Sequence, residues 1–302
     1  DSVFLLMKCL EAAKKLNLKL IVAHFNHALR GKESDNDAQF VQELAKKYEL
    51  PFESSKSNLL KKSKSGLEEK GRLLRYRFFE RIRKKWQADW IVTAHHRDDN
   101  IETVLFNMIR GASFNGLKGI QTADEKRRLL RPLLQTPKAE ITAYLKQKKI
   151  RHRIDKSNKN LIFSRNLLRN KIIPLFKKIN TNFERAFAEN MENFGETADF
   201  MDKICLDFLR THGSVVDPLK GLHIDGFLLD AYLALHPAVQ KSLLVYLYKK
   251  THKSVNNLTW NHLRQVLKVL KTKKTGLKKE FGPKRFIAII RNVHGERIVV
   301  IQ

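Results

Sequence analysis

Cysteine is nearly absent: the 302 residues hold two, Cys9 and Cys205, far apart and outside any C-x-x-C pair. This excludes a thiolate zinc ribbon, an iron–sulfur cluster held by one chain and a disulfide framework. A reducing, cytoplasmic setting is expected. Long apolar runs are also missing. The longest near the N-terminus, Val3 to Met7, falls far short of a bilayer span and follows no signal-peptide pattern, so no membrane attachment is expected. Acidic residues are scarce, with 31 Asp+Glu against 59 Lys+Arg, a formal net charge of +28 and a pI near 10.1. Such an excess says nothing about fold, but it predicts a polyanionic partner, of which nucleic acid is the commonest. The plainer reading is a Lys-rich proteome whose charges are merely solvated. No internal repeat is visible. The rest is ordinary: 42% hydrophobic and 9% aromatic residues, enough chain for two domains with a core each.

The first half alternates helix and strand signals. Val3 to Lys15 reads as a helix, and Leu18 to Phe25 (LKLIVAHF) as a buried parallel strand. Ser34 and Asp37 predict a capped helix start, and Pro51-Phe52-Glu53 a short extended piece. A helix is expected over Leu67 to Trp86, a strand over Asp89 to His95 and a helix directly after it. A further strand is expected over Leu129 to Leu134. The next helix should begin at Thr136-Pro137, with Pro in its first position. This alternation predicts an α/β domain, a parallel sheet with helices on both faces, binding ligands at the carboxyl ends of its strands. Beyond about residue 180 the pattern turns helical: Phe183 to Leu209, Ala231 to Tyr248 and Leu258 to Leu270. Two short strands, Phe286 to Ile290 and Arg297 to Ile301, join through a turn at His294-Gly295. The expected division is therefore 1–180 and a mainly helical, basic 181–302. Lys268 to Arg285 holds eight Lys/Arg against one acid, Glu280, and with its Thr275-Gly276 turn suits an ordered loop facing RNA.

Three clusters carry chemistry. Asp1-Ser2 opens directly onto an apolar helix, a start that suits phosphate as well as an ordinary cap. His24-Phe25-Asn26-His27 and Leu29-Arg30-Gly31 lie at the end of the first strand, where a nucleotide is read; core histidines are the plainer account. The most informative is His95-His96-Arg97-Asp98-Asp99-Asn100-Ile101-Glu102-Thr103, running off a strand into a helix. Asp99 and Glu102, three apart, share a helical face near His95. Carboxylates so placed hold Mg²⁺ with phosphate oxygens, or bind an ammonium group and take its proton. Asp98 is the acid expected simply to complement the helix dipole. A zinc site would need a third protein ligand that the sequence does not identify.

In these residues the chain resembles the tRNA(Ile)-lysidine synthetase family of PP-loop ATP-pyrophosphatases. Asp1-Ser2 match the end of that group's Ser-Gly-Gly-x-Asp-Ser loop. Further landmarks follow in order: VAHFNHALRG (22–31), RLLRYRFF (72–79), TAHHRDDNIETVLFNMIRG (93–111), GLKGI (116–120), RPLL (131–134), and DKSNKN with SRNLLRNKIIP (155–174). The likeness is close over about residues 1–180 and looser beyond. It departs at Lys70-Gly71, where small residues are usual. The first strand and the start of the loop are expected upstream of Asp1, and the chain looks like short members without a further C-terminal domain.

The resemblance implies a PP-loop, adenine nucleotide alpha hydrolase-like fold. It also implies an enzyme that uses ATP and Mg²⁺ to adenylylate the 2-carbonyl oxygen of the wobble cytidine in an isoleucine tRNA with a CAU anticodon. The ε-amine of free L-lysine then displaces AMP. On that basis Asp99, Glu102 and His95 are the catalytic candidates. Asp1, Ser2, Ala23, His24, Arg110 and Gly111 would bind ATP, with Asp1 also a candidate Mg²⁺ ligand. Arg165 and Arg169, four apart, with Asp155, Ser157, Asn158 and Asn166, would close over RNA or phosphates. Lys271, Lys273, Lys274 and Lys278 would contact RNA from the basic domain. No protein partner is evident, and a homodimer is left open. The rival readings are a tRNA thiolase of the same group, an RNA-binding protein without catalysis, and a metal phosphohydrolase built on His96-Arg97-Asp98.

Overall fold

The computed structural model describes residues 1–29, 31–58, 67–153, 164–217, 222–251, 258–282, 285–292 and 294–301. The chain forms two compact units, one of residues 1–106 and 119–188, the other of 107–118 and 189–302.

The first unit alternates helix and strand: α1 (Ser2–Leu16), β1 (Val22–Asn26), α2 (Lys32–Lys47), β2 (Phe52–Lys56), α3 (Leu67–Lys85), β3 (Ile91–Val92) and α4 (Arg97–Ile109), whose last turn belongs to the second unit. Helix α5 (Phe114–Leu117), also of the second unit, comes next. Then come β4 (Ala123–Asp124), β5 (Leu129–Leu130) and α6 (Lys138–Gln147). Strands β1 and β2 pair in parallel, Val22 opposite Phe52 through Asn26 opposite Lys56. Strand β3 pairs in parallel with β5, which carries β4 antiparallel on its other side. Among the described residues β1 and β3 are each paired on one side only.

The strands are therefore shorter than the apolar runs suggest. The run from residue 18 becomes strand only at Val22, and β5 stops before Pro132, which has no N–H to give a ladder. The α1 helix ends on Asn17 in the left-handed conformation, φ 51°. It buries Phe4 and Leu5 in a cluster with Leu133, Ile141 and Leu145, and Phe4 meets Tyr144 of α6 edge-on. On α3, Phe78 packs against Phe25 of β1.

Two expected helix starts are corrected. Helix α2 begins at Lys32 after Gly31, whose φ of 52° and ψ of −128° suit glycine alone; Ser34 is buried within the first turn and is not the N-cap. Its carbonyl instead accepts from the Asn26 amide at 3.1 Å. Pro137 is the residue before α6 rather than its first, and Asp98 caps that helix by accepting from the Lys138 N–H at 2.9 Å.

Helix α7 (Ser164–Leu167) passes through a π-helical turn, Leu168–Ile172, into α8 (Ile173–Ile179). Helix α9 (Phe183–His212) starts in the first unit and continues into the second.

The second unit is mainly helical, as expected, and adds an antiparallel sheet that is only half legible in the sequence. Its elements are β6 (Gly213–Asp217), β7 (Leu222–Leu228), α10 (Leu229–Ala234), α11 (Pro237–Thr251), α12 (Trp260–Lys271), β8 (Lys278–Glu280), β9 (Phe286–Arg291) and β10 (Arg297–Ile301). The strand order is β6-β7-β10-β9-β8. One core joins Cys205, Phe227, Tyr232, Leu244, Val266, Leu270, Ile289 and Val299. No helix among the described residues is long and apolar enough to cross a membrane.

Candidate active site

The N-terminus of α4 gathers a cluster of charged side chains. Asp99, in the first turn, reaches back so that its Oδ2 accepts from the His96 N–H at 3.1 Å, half of a capping box. Its other oxygen accepts from Arg169 at 3.2 Å. One turn on, Glu102 is almost fully buried, and both its oxygens accept from Arg169, at 2.6 Å from Nε and 2.9 Å from Nη2. A carboxylate buried this deeply requires such a partner, because an unpaired charge there would cost several kcal/mol (about 3–5). The π-helical turn that carries Arg169 supplies the guanidinium.

Around this pair stand Asp1, His96 and Lys138. The Lys138 ammonium binds one Asp1 oxygen, and the other lies 3.6 Å from His96 Nε2. Nε2 of His96 is also 3.4 Å from Asp99, while its buried Nδ1 has no hydrogen-bond partner; the nearest carboxylate to it, Asp98, is 3.7 Å away. Burial pushes the His96 pKa down despite Asp99 and Asp98, so the ring is neutral at pH 7. Burial lowers His95 to about 4, with Asp99 opposing and Arg131, Arg75 and Arg72 reinforcing; Thr93 Oγ1 sits 2.9 Å from its Nδ1. Burial raises Glu102, with Arg169 pulling it back. Burial works against the charge on Arg169, yet its hydrogen bonds to Glu102 and the charges of Glu102, Asp99 and Asp98 hold it above its ordinary value. Lys138 is lowered by burial. Four carboxylates thus face the Arg169 guanidinium, the Lys138 ammonium and two neutral imidazoles.

Residues 1–176 match the profile of the PP-loop domain. The chain belongs to the PP-loop family. The PP-loop chain is 32% identical over 279 residues to the tRNA(Ile)-lysidine synthase of Caldanaerobacter subterraneus subsp. tengcongensis, covering 89% of this chain and 57% of that protein. It is 37% identical over 214 residues to the enzyme of that name from Porphyromonas gingivalis, covering 70% and 46%. It spans about half the length of these curated relatives. A solved structure, the U34-tRNA thiolase NcsA from Methanococcus maripaludis with its 4Fe-4S cluster, superposes with a TM-score of 0.51 at 15% identity, over 64% of this chain and 67% of that one. At that identity the likeness is one of fold alone.

In the PP-loop chain, the sequence-predicted residues Asp1, His95, Asp99 and Glu102 come together. Arg165 also stands close enough to Glu102 to act on its carboxyl electrostatically. Arg169, assigned to RNA from the sequence, directs its donors to Glu102 and Asp99. Ser2 is the first residue of α1. Ala23 and His24 lie in β1, where burial lowers His24, and no hydrogen bond or ion pair joins them to the carboxylates. Arg110 and Gly111 belong to the second unit, Gly111 with φ 75° closing α4. Lys273 pairs with Asp230 at 2.8 Å, Lys271 ends α12, Lys274 follows in the turn, and Lys278 opens β8. Asn166 is buried on α7. Arg30, Asp155, Ser157 and Asn158 lie outside the described residues.

Sequence reasoning placed His96 in the cluster without giving it a part in the proposed reaction, and it missed Lys138 and Arg131 as members of the site. Arg131 is buried, gives Nη1 to the Gln121 carbonyl at 2.8 Å and leaves Nε without a partner. The RLLRY stretch held a usable signal. Arg72 and Arg75 both lie 5.6 Å from the Tyr76 ring, and both act electrostatically on His95. Lys138 carries no local signal, since its partner Asp1 is 137 residues away.

Proposed function

We propose that this chain is the ATP-dependent ligase that forms lysidine, joining the ε-amine of free lysine to the wobble cytidine of an isoleucine tRNA with a CAU anticodon. The observation that carries this reading is the Asp99–Glu102–Arg169 group at the start of α4 in a PP-loop unit. The names borne by its relatives support it. The 2-carbonyl carbon of cytosine is a poor electrophile; adenylylation of its oxygen makes AMP the leaving group and releases pyrophosphate. The attacking amine must first lose a proton, because an ammonium has no free lone pair.

Asp99, the more open of the two acids, holds the lysine ammonium. Glu102, a stronger base because burial raises its pKa, takes the proton through the lone pairs that Arg169 leaves free. Arg169 is a positioning residue on this account. His95 and His96, both neutral, hydrogen-bond without adding charge repulsion toward the incoming amine. Asp1 and Ser2 face the phosphates.

Magnesium fits as an ion carried in on ATP. The carboxylates outnumber the cations, yet among the described residues no three acid, His or Cys side chains converge as a ready-made metal site. Asp1 would hold it, where it would neutralise charge on the phosphates. The first unit is thereby the catalytic domain, and the basic second unit grips tRNA through phosphates and shape. Both substrates belong in the cytoplasm.

The thiolase reading is disfavoured by this chain's own thiols. Burial raises the pKa of Cys9 and pushes Cys205 up to about 12, so neither is a thiolate at neutral pH. Pyrophosphate release tests the first step. ATP should be cleaved between its α- and β-phosphates only when the isoleucine tRNA is present. Release with every tRNA alike, or of orthophosphate instead, would remove the proposed substrate.

A further inference from the structure

We infer that the outer face of α12 is a stacking platform for an unpaired nucleobase of the bound RNA, with Trp260 as the stacking ring and Arg264, Lys268 and Lys271 as a phosphate track. This inference rests on the tRNA reading above and assigns its contact in the second unit to specific residues.

Helix α12 divides cleanly. Leu263, Val266 and Leu270 are buried in the core of the unit, which fixes the helix rigidly. Trp260, Arg264, Lys268 and Lys271 follow at spacings of four, four and three, so they form a single ridge about 16 Å long on the exposed side. All four are exposed, and Trp260 leaves 54% of its surface to water. A large aromatic side chain at the first position of a helix could have packed inward. Here the Thr259–His262 capping box holds the backbone so that the ring stands outward.

The ridge is chemically one-sided. The sequence of α12, WNHLRQVLKVLK, contains no acid. Among the described residues Arg264, Lys268 and Lys271 form no ion pair, whereas nearby Lys273 pairs with Asp230. The Trp260 indole N–H likewise has no hydrogen-bond partner among the described residues. Lys241, from α11, places its ammonium 5.0 Å from the Trp260 centroid. That contact takes up part of the ring, and the 54% that stays exposed is available to a second planar group. An exposed aromatic with a row of unpaired cations fits single-stranded RNA, which offers a flat base and regularly spaced negative charge. An acidic protein would satisfy the cations but has no use for the exposed ring.

The chain has three tryptophans, Trp86, Trp90 and Trp260. A Trp86→Phe/Trp90→Phe variant makes Trp260 the only strong emitter, and titration with tRNA or oligouridylate should quench it. Trp260→Ala should weaken tRNA binding by about 5- to 150-fold, the range for one stacked base, and Trp260→Phe should restore most of it. Changing Arg264, Lys268 and Lys271 together to Gln should reduce the slope of log K against log salt by about 2. Melting curves confirm that the variants fold. If native protein binds tRNA but Trp260 is unquenched and Trp260→Ala binds as tightly, the platform is wrong while the tRNA reading stands. Quenching by polyglutamate as strong as by RNA makes the face a site for acidic protein and overturns the inference. No tRNA binding even at low salt sinks both.

Discussion

Replacing Arg169 with Met strikes a side chain that holds both candidate catalytic acids. Glu102 is 2% exposed and accepts twice from Arg169. Removing one member of a buried ion pair costs about 3–5 kcal/mol. Here 36% of the Arg169 side chain faces water, and screening lowers the expected cost to about 2–3 kcal/mol. At roughly 2–4 °C per kcal/mol for a unit of this size, the melting temperature should fall by about 4–12 °C. The pH dependence supplies a sharper signature. Burial already raises the Glu102 carboxyl and Arg169 opposes the rise, so its loss raises the carboxyl further. A carboxyl whose folded pKa exceeds its unfolded one contributes its stability below the unfolded value and loses it as pH climbs through the folded value. The deficit should therefore be largest near about pH 8 and shrink below about pH 5. Calorimetric melts of native protein, Arg169→Met, Glu102→Gln and the double variant at both pH values make the test. The double variant should melt above Arg169→Met at the higher pH, since a neutral Gln needs no counter-charge. A deficit equal at both pH values, or a shift of under about 1 °C, would refute the buried-pair reasoning.

Other consequences can be measured directly. Asp99→Asn should abolish lysine transfer while leaving tRNA affinity within about twofold, because a neutral amide no longer attracts an ammonium; wild-type turnover by that variant removes Asp99 from the reaction. His95 has a folded pKa of about 4, below its unfolded value, so it contributes stability above the unfolded value that is lost as pH falls toward 4. His95→Gln should show a shallower fall over that interval, and an unchanged acid limb would show the imidazole to be solvated. Gly119 has φ +72°, and an added Cβ would stand 2.3 Å from Asn100 Oδ1, the acceptor for the Ile120 N–H. Gly119→Ala should cost about 1–3 kcal/mol in a denaturant melt, and a neutral result would mean that the loop shifts freely. Raising salt from about 50 to 200 mM should weaken tRNA binding by orders of magnitude, and a flat response would remove the phosphate contacts.

The long helices were legible because their apolar residues repeat at helical spacing: Leu74, Phe78 and Ile82 on α3, and Leu263, Val266 and Leu270 on α12. Strand β8 was not legible. Lys278-Lys279-Glu280 has no apolar signal and becomes strand only by pairing with β9, Lys278 opposite Ala288. The start of α2 was misplaced because a backbone feature, the glycine conformation at residue 31, overrides the side-chain signal of Ser34. In the site, the acids and His95 could be read from their place at a strand-to-helix junction. Their counter-charges could not, since Arg169 and Glu102 are 67 residues apart. Nor can a linear sequence show that an arginine four residues from another turns toward a carboxylate instead of solvent.

The central claim is best tested by mixing the protein with ATP, Mg²⁺, labelled lysine and total tRNA, then following label into RNA. The account predicts incorporation only when ATP is present, into an isoleucine tRNA carrying a CAU anticodon, with AMP and pyrophosphate released. ATP-dependent AMP release with no lysine transferred, the label staying wholly outside RNA, would contradict it.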